Sequence, residues 1–299
     1  MWIAAGRTAV LALLGATAWA QAQATGEVQR DPQELVRKAA QNEINANSGS
    51  ARFMFRGVKT TPKGSTTKIY VETREGTAGM AVAYNDKPLT VQQRQDEEAR
   101  TERFLKNPEE LRKKRAQERE DAERTTRIVR SLPDAFLYEY VGEEQGSTGI
   151  GRAGEPLVKL KFRPNPAYRP PSRVEDVLMG MQGFVLVDAK HERLASIDAT
   201  LFRDVTFGWG ILGHLDRGGH FIVHQEEVGN NDWEISCMSL KFTGRILLVK
   251  SLLIESTEKF SDFKRVSPDL TFAQALEILK KEDAGGADSS SLAVGGPSR

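Results

Sequence analysis

The stretch from Gly183 to Phe263 constrains the fold most, because several apolar-rich runs follow one another there with only short turns between them. From Leu194 onward, Ile197, Ala199, Leu201, Val205 and Phe207 alternate with Ser196, Asp198, Thr200, Asp204 and Thr206, the period of two of a half-buried strand. Phe221 and Val223 continue the scheme against His220, Ile222 and His224, and Trp233, Ile235 and Cys237 against Asp232, Glu234 and Ser236. After Cys237 the apolar set moves to Met238, Leu240 and Phe242. A phase change without a turn signal predicts a β-bulge near Cys237, which bends and coils a sheet. The connections are Asp188 to Glu192, Gly229 to Asp232 and the tight turn Thr243-Gly244-Arg245. All are too brief for parallel crossovers, so the sheet is antiparallel.

The chain before this meander supplies a second one. Asp31-Pro32-Gln33-Glu34 spells a helix start, with aspartate as cap and proline in the first turn. The stripe Leu35, Val36, Ala39, Ala40 and Ile44 then faces a sheet, and Asn47-Ser48-Gly49 ends the helix. Strands follow at Ala51 to Lys59, Thr66 to Thr73 and Thr77 to Tyr84, with Phe53 and Phe55 on one face and Ile69 and Val71 alternating against Lys68, Tyr70 and Glu72. Residues 91–131 break the pattern with two polar, charge-mixed helices meeting at Asn107-Pro108. Their apolar residues lie at the break, Phe104, Leu105 and Leu111, and at the exit, Ile128, Val129 and Leu132, so the expectation is a solvated projection anchored at its ends. Sheet character resumes at Phe136 to Val141 and Pro156 to Arg163, around a glycine-rich loop at Gly142 to Gly154. The proline-rich Arg163 to Pro171 reads as a rigid strap, and Ser172 to Glu175 as the cap of a short helix through Met181. Thr271 caps a last helix, Phe272 to Lys281. The expected class is therefore α+β: a curved antiparallel half-barrel sheet of roughly ten or eleven strands, with packed helices and an inserted charged helical pair.

Arg7, the apolar run Thr8 to Ala18 and the triplet Ala18-Trp19-Ala20 have the form of a cleaved export signal, which places the mature start between Gln21 and Thr25. The domain reading is a leader over 1–24, one half-barrel domain over 25–283 with the insertion at 91–131, and a glycine- and serine-rich disordered tail over 284–299. Export matters for the single cysteine, Cys237, which can form no intramolecular disulfide. The core must then hold the domain together, with Cys237 as a small buried hydrophobe. The formal charge is +1, and removal of Arg7 with the leader brings it to zero, so no global field draws the protein to nucleic acid or to anionic membrane.

The chemistry-bearing residues do not assemble into a motif. His220 and His224 share a strand face but stand about 13 Å apart, too far for one ion, and the expected metal, cofactor and catalytic sets are empty. Gly208-x-Gly210-x-x-Gly213 spells a dinucleotide pattern, but it precedes a hairpin rather than a helix. It is expected instead either to fold over a sheet end or to be a mobile loop at a cavity mouth. No nucleophile or acid-base pair can be named, so an enzyme is not expected.

The order of export signal, amphipathic helix, meander, helical interruption and second meander, with Gly183 to Asp188 feeding Arg193-Leu194-Ala195-Ser196-Ile197 and later Trp233 and Gly244-Arg245, resembles the LolA/LolB-type periplasmic lipoprotein carriers and the related RseB-type regulator domains. The layout is similar also to that of other exported bacterial proteins. That resemblance implies a half-barrel whose concave apolar face accepts acyl chains beneath helices. The reading is a periplasmic, monomeric lipid or lipoprotein carrier or sensor. Its apolar cavity is expected at Phe53, Phe55, Ile69, Val71, Ile197, Leu201, Phe221, Val223, Trp233 and Ile235. The alternative is a structural or interaction protein of the envelope whose charged helices dock a partner.

Overall fold

The computed structural model describes residues 31–47, 51–207, 213–246 and 250–291. The expected leader, the loop at 208–212 and the end of the tail lie outside them. After α1 (Pro32–Asn47) come the strands β1 (Phe53–Thr61), β2 (Gly64–Thr73), β3 (Gly76–Tyr84) and β4 (Lys87–Pro88). Helices α2 (Val91–Lys106) and α3 (Pro108–Ala135) lead to β5 (Phe136–Gln145) and β6 (Pro156–Pro164). A short α4 (Arg173–Asp176) and a single 3-10 turn precede β7 (Met181–Asp188) and β8 (Arg193–Leu201). Then follow β9 (Val205–Phe207), β10 (Gly213–Leu215), β11 (His220–Gly229), β12 (Asp232–Ile246), β13 (Lys250–Arg265) and α5 (Phe272–Ser291). Each described pairing of these strands is antiparallel, and eleven of them form one open path, β4-β3-β2-β1-β13-β12-β11-β8-β7-β6-β5.

The predicted bulge is present. His224 pairs with Cys237 and Gln225 with Ile235, which leaves Ser236 as the extra residue. Asn230 and Asn231 both take positive φ, 56° and 63°, as a two-residue hairpin of the strands' own twist requires. The expected turn at Thr243 to Arg245 is instead part of β12. Gly244 is needed there because β10 crosses it closely, and a Cβ would collide with the His214 carbonyl. The expected strand from Leu194 to Phe207 breaks into β8 and β9 around residues 202–204. Helix α5 runs on to Ser291, past its expected end at Lys281. Gly285 and Gly286 weaken a helix without ending it, and the first proline after them is Pro297.

Two cores lie on opposite faces of the sheet. Lys59, Glu258, Met238, Val223, Ile197, Val185 and Leu160 stand side by side across seven strands, so they share one face. On that face Leu160, Val185 and Leu201 pack with Leu35, Val36 and Ala39 of α1 and with Leu132 and Ala135 at the end of α3. Ile69 and Val71 point the other way. With Met54, Ala78 and Met80 they pack under Phe272, Ala275, Leu276 and Leu279 of α5.

Helix α3 shows how far the sheet curls. Its Glu118 accepts from the Thr77 N–H of β3 at 3.2 Å, and its last residue, Ala135, runs directly into β5. These strands are nine neighbours apart in the sheet, about 43 Å along a flat surface at the usual strand spacing. The seventeen helical steps from Glu118 to Ala135 cover only about 26 Å. The sheet therefore bends into an open trough, and α3 spans its mouth.

The charged pair is not a solvated projection held at its ends. Strand β4 covers only the Ala83–Tyr84 end of β3, and α2 and α3 cover the rest of that edge with side chains. Glu97 accepts from the Ala81 N–H at 2.7 Å, Arg100 donates to the Gly79 carbonyl at 2.9 Å, and Glu118 takes the Thr77 N–H. The middle of the pair is thus anchored by polar groups, which apolar spacing cannot reveal. Arg127 also ties α3 to the buried Glu175 of α4, at 3.8 Å.

Candidate functional site

Between the two cores the trough face carries a band that neither α1 nor α5 covers. Phe55 stacks on Tyr70 with ring centroids 5.2 Å apart, and meets Phe260 at 5.8 Å and Phe263 at 5.4 Å. All four aromatic rings are half-buried, as are Met238 and Val223 farther along the same face, before Leu240 and Phe221 pack against the core under α1. Phe260 and Phe263 share this face despite a spacing of three, because β1 pairs Arg56 with Ser261 and Met54 with Lys264. Two residues, Asp262 and Phe263, then stand opposite Phe55, and Asp262 takes a φ of 58° to make the bulge. Gly57 and Gly79 keep the band flat, since a Cβ at either would press within 3 Å of the Tyr70 ring.

The ten expected cavity residues do not line one space. Phe55 and Val223 belong to the uncovered band, whereas Phe221 packs against the core under α1. Phe53, buried, meets Phe263 edge-on at 6.3 Å. Ile197 and Leu201 lie in the core under α1, and Ile69 and Val71 in the core under α5. Ile235 is exposed. Trp233 packs in a third cluster with Leu157, Leu186, Ala195 and Ile150, where the glycine-rich loop closes over the strand ends and Gly151 bridges to Glu226. Tyr70, Phe260 and Phe263 are the residues the strand pattern missed. Tyr70 alternates with Ile69 and Val71 on what reads as the polar face of β2, and the spacing of Phe260 and Phe263 is out of phase for a regular strand.

A cleft of about 260 Å³ adjoins the band where Tyr70 meets the helical pair, with Lys68, Arg100, Lys114, Glu118 and Phe104 in its walls. Burial works against the Glu97 carboxylate beside it, but Arg100 and the Ala81 N–H outweigh burial and hold its pKa below the usual range. Burial, with Arg100 next, pushes the Lys68 ammonium down. At another place Glu43 of α1 takes two hydrogen bonds of 2.8 Å from Arg193, which lies over the Trp233 ring at 5.5 Å. Burial, then Glu72 and Asp232, pushes the nearby Glu234 carboxyl up to about 7.

Three of the histidines are engaged by carboxylates, His220 with Asp198 at 2.6 Å, His214 with Asp216 at 3.1 Å and His191 with Asp188 at 2.9 Å, while burial pushes the pKa of the His224 imidazole down. Among the described residues no group of three or more His, Cys, Asp or Glu is placed to hold a metal ion. No helix among the described residues is long and apolar enough to cross a membrane. No protein-family model, curated protein or solved structure matches the chain.

Proposed function

We propose that the chain is an exported carrier or sensor that shelters an alkyl chain in the trough, between the sheet and α3. The observation that carries this is the band of half-buried apolar side chains from Tyr70 and Phe55 through Phe260 and Phe263 to Met238 and Val223, left uncovered between two packed cores. A sixteen-carbon chain laid there gains about 12 kcal/mol gross, at about 0.8 kcal/mol for each methylene removed from water. Even after the cost of ordering the chain, micromolar binding, about −8 kcal/mol, is within reach. The trough is open rather than enclosed, which suits a ligand that is loaded and released. Native mass spectrometry of the protein isolated from a bacterial periplasm tests the reading. A bound lipid that leaves on mild activation is expected, and protein that is free of lipid and takes none up from vesicles contradicts it.

A further inference from the structure

The cleft beside Tyr70 has a charge pattern of its own. Arg100 is held by Glu97 through two hydrogen bonds of 2.7 Å, and Lys114 by Glu118. Glu118, the acid in the cleft wall, also takes the Thr77 N–H. Lys59, on the neighbouring strand, is held by Glu258 at 2.6 Å. Lys68 differs: among the described residues no carboxylate lies within ion-pair distance of it, although it is half-buried and feels the charges of Arg100, Lys59 and Lys114 against that of Glu97, which Arg100 already holds. A desolvated cation among like charges is stabilised by any anion that reaches it. The site is also continuous with the apolar band, because the Tyr70 ring that lines the cleft is the one stacked on Phe55.

We infer that this cleft seats the anionic head group, carboxylate or phosphate, of a single-chain amphiphile, with Lys68 as its partner and the tail laid from Tyr70 over Phe55 toward Phe260. The assignment rests on the trough reading above and adds the class of ligand to it. A cation at one end and an aromatic strip leading away from it fix the direction of the chain as well as its chemistry. Arg100 and Lys114 add field without offering a free charge, so the specificity for an anion falls on Lys68.

Calorimetric titration of the full chain with dodecanoate, dodecyl phosphate and dodecanol tests this, with acetate and inorganic phosphate as head groups alone. The two anionic amphiphiles are expected to bind about tenfold more tightly than dodecanol, the size of one charge-assisted contact. Lys68→Met should abolish that preference while leaving dodecanol affinity unchanged, and Lys68→Arg should keep most of it. The dodecanol arm is the control for folding, since a damaged trough would lose all three ligands. A wild-type protein without the preference, or a Lys68→Met protein that retains it, overturns the head-group site and leaves the trough reading standing. Acetate or phosphate binding as tightly as the amphiphiles overturns the amphiphile assignment in favour of a free-anion site. No saturable binding of any of the three amphiphiles overturns the trough reading and the head-group site together.

Discussion

Among single residues the largest electrostatic commitment is the pair of Glu43 and Arg193, both almost fully buried, with Glu43 also taking the Leu194 N–H at 3.1 Å. Breaking a buried pair strands a charge, which costs about 3–5 kcal/mol. Glu43→Ala should lower the unfolding free energy in urea by about that amount, and a loss below about 1 kcal/mol would mean that water reaches Arg193. Glu234 makes a pH-dependent case. Its folded pKa of about 7 lies above the ordinary value of 4.5. Between those values the folded state binds the proton more strongly than the unfolded one, so stability falls as pH rises through the window and levels off above it. Thermal melts at pH 8 and pH 5 should therefore find Glu234→Gln more stable than wild type at the higher pH, with the gain shrinking at the lower. A gain of equal size at both would assign it to packing instead. Neither feature was legible in the sequence. Glu43 sits one residue before the expected stripe residue Ile44, and Glu234 on the polar side of an alternating strand, so each looked like a solvated acid.

The elements themselves were largely legible, because alternation, caps and turn residues are local. The starts of most strands, the Asn107 break and the bulge at Ser236 follow from such signals, whereas the break after Leu201 and the run of β12 through Gly244 do not. What was not legible is which face pairs with which helix. Ile69 and Val71 alternate as cleanly as Ile197 and Ala199, yet one set lies under α5 and the other under α1, since alternation carries phase but not side. The charged helices were hidden for another reason: their contacts with the sheet edge are hydrogen bonds from Glu97, Arg100 and Glu118. An unprotected edge strand recruits other strands. Glu97→Ala removes the partner of both Arg100 and the Ala81 N–H, and should cost about 2–3 kcal/mol. It should also produce concentration-dependent association in light scattering and faster amide exchange at Ala81. Unchanged exchange at Ala81 would show that α2 covers the edge without those bonds.

At the scale of the whole molecule, α3 is shorter than the sheet it bridges is wide, and this turns an open antiparallel sheet into a trough. One consequence is that the apolar surface divides into two packed cores and an uncovered band between them. The sequence showed enough apolar alternation for such a surface but placed Trp233 and Ile235 on it. Trp233 is instead buried in the cluster with Leu157, and its Nε1 has no hydrogen-bond partner among the described residues. Photo-crosslinking with an alkyl chain that carries a diazirine near its end tests the account most directly, with the labelled peptides mapped by mass. Saturable labelling confined to trough-face residues of β1, β2, β12 and β13, Phe55, Tyr70, Met238 and Phe260 among them, is the predicted result. Labelling concentrated on α5 and its core at Ile69 and Val71, or labelling that rises without saturation, would contradict it.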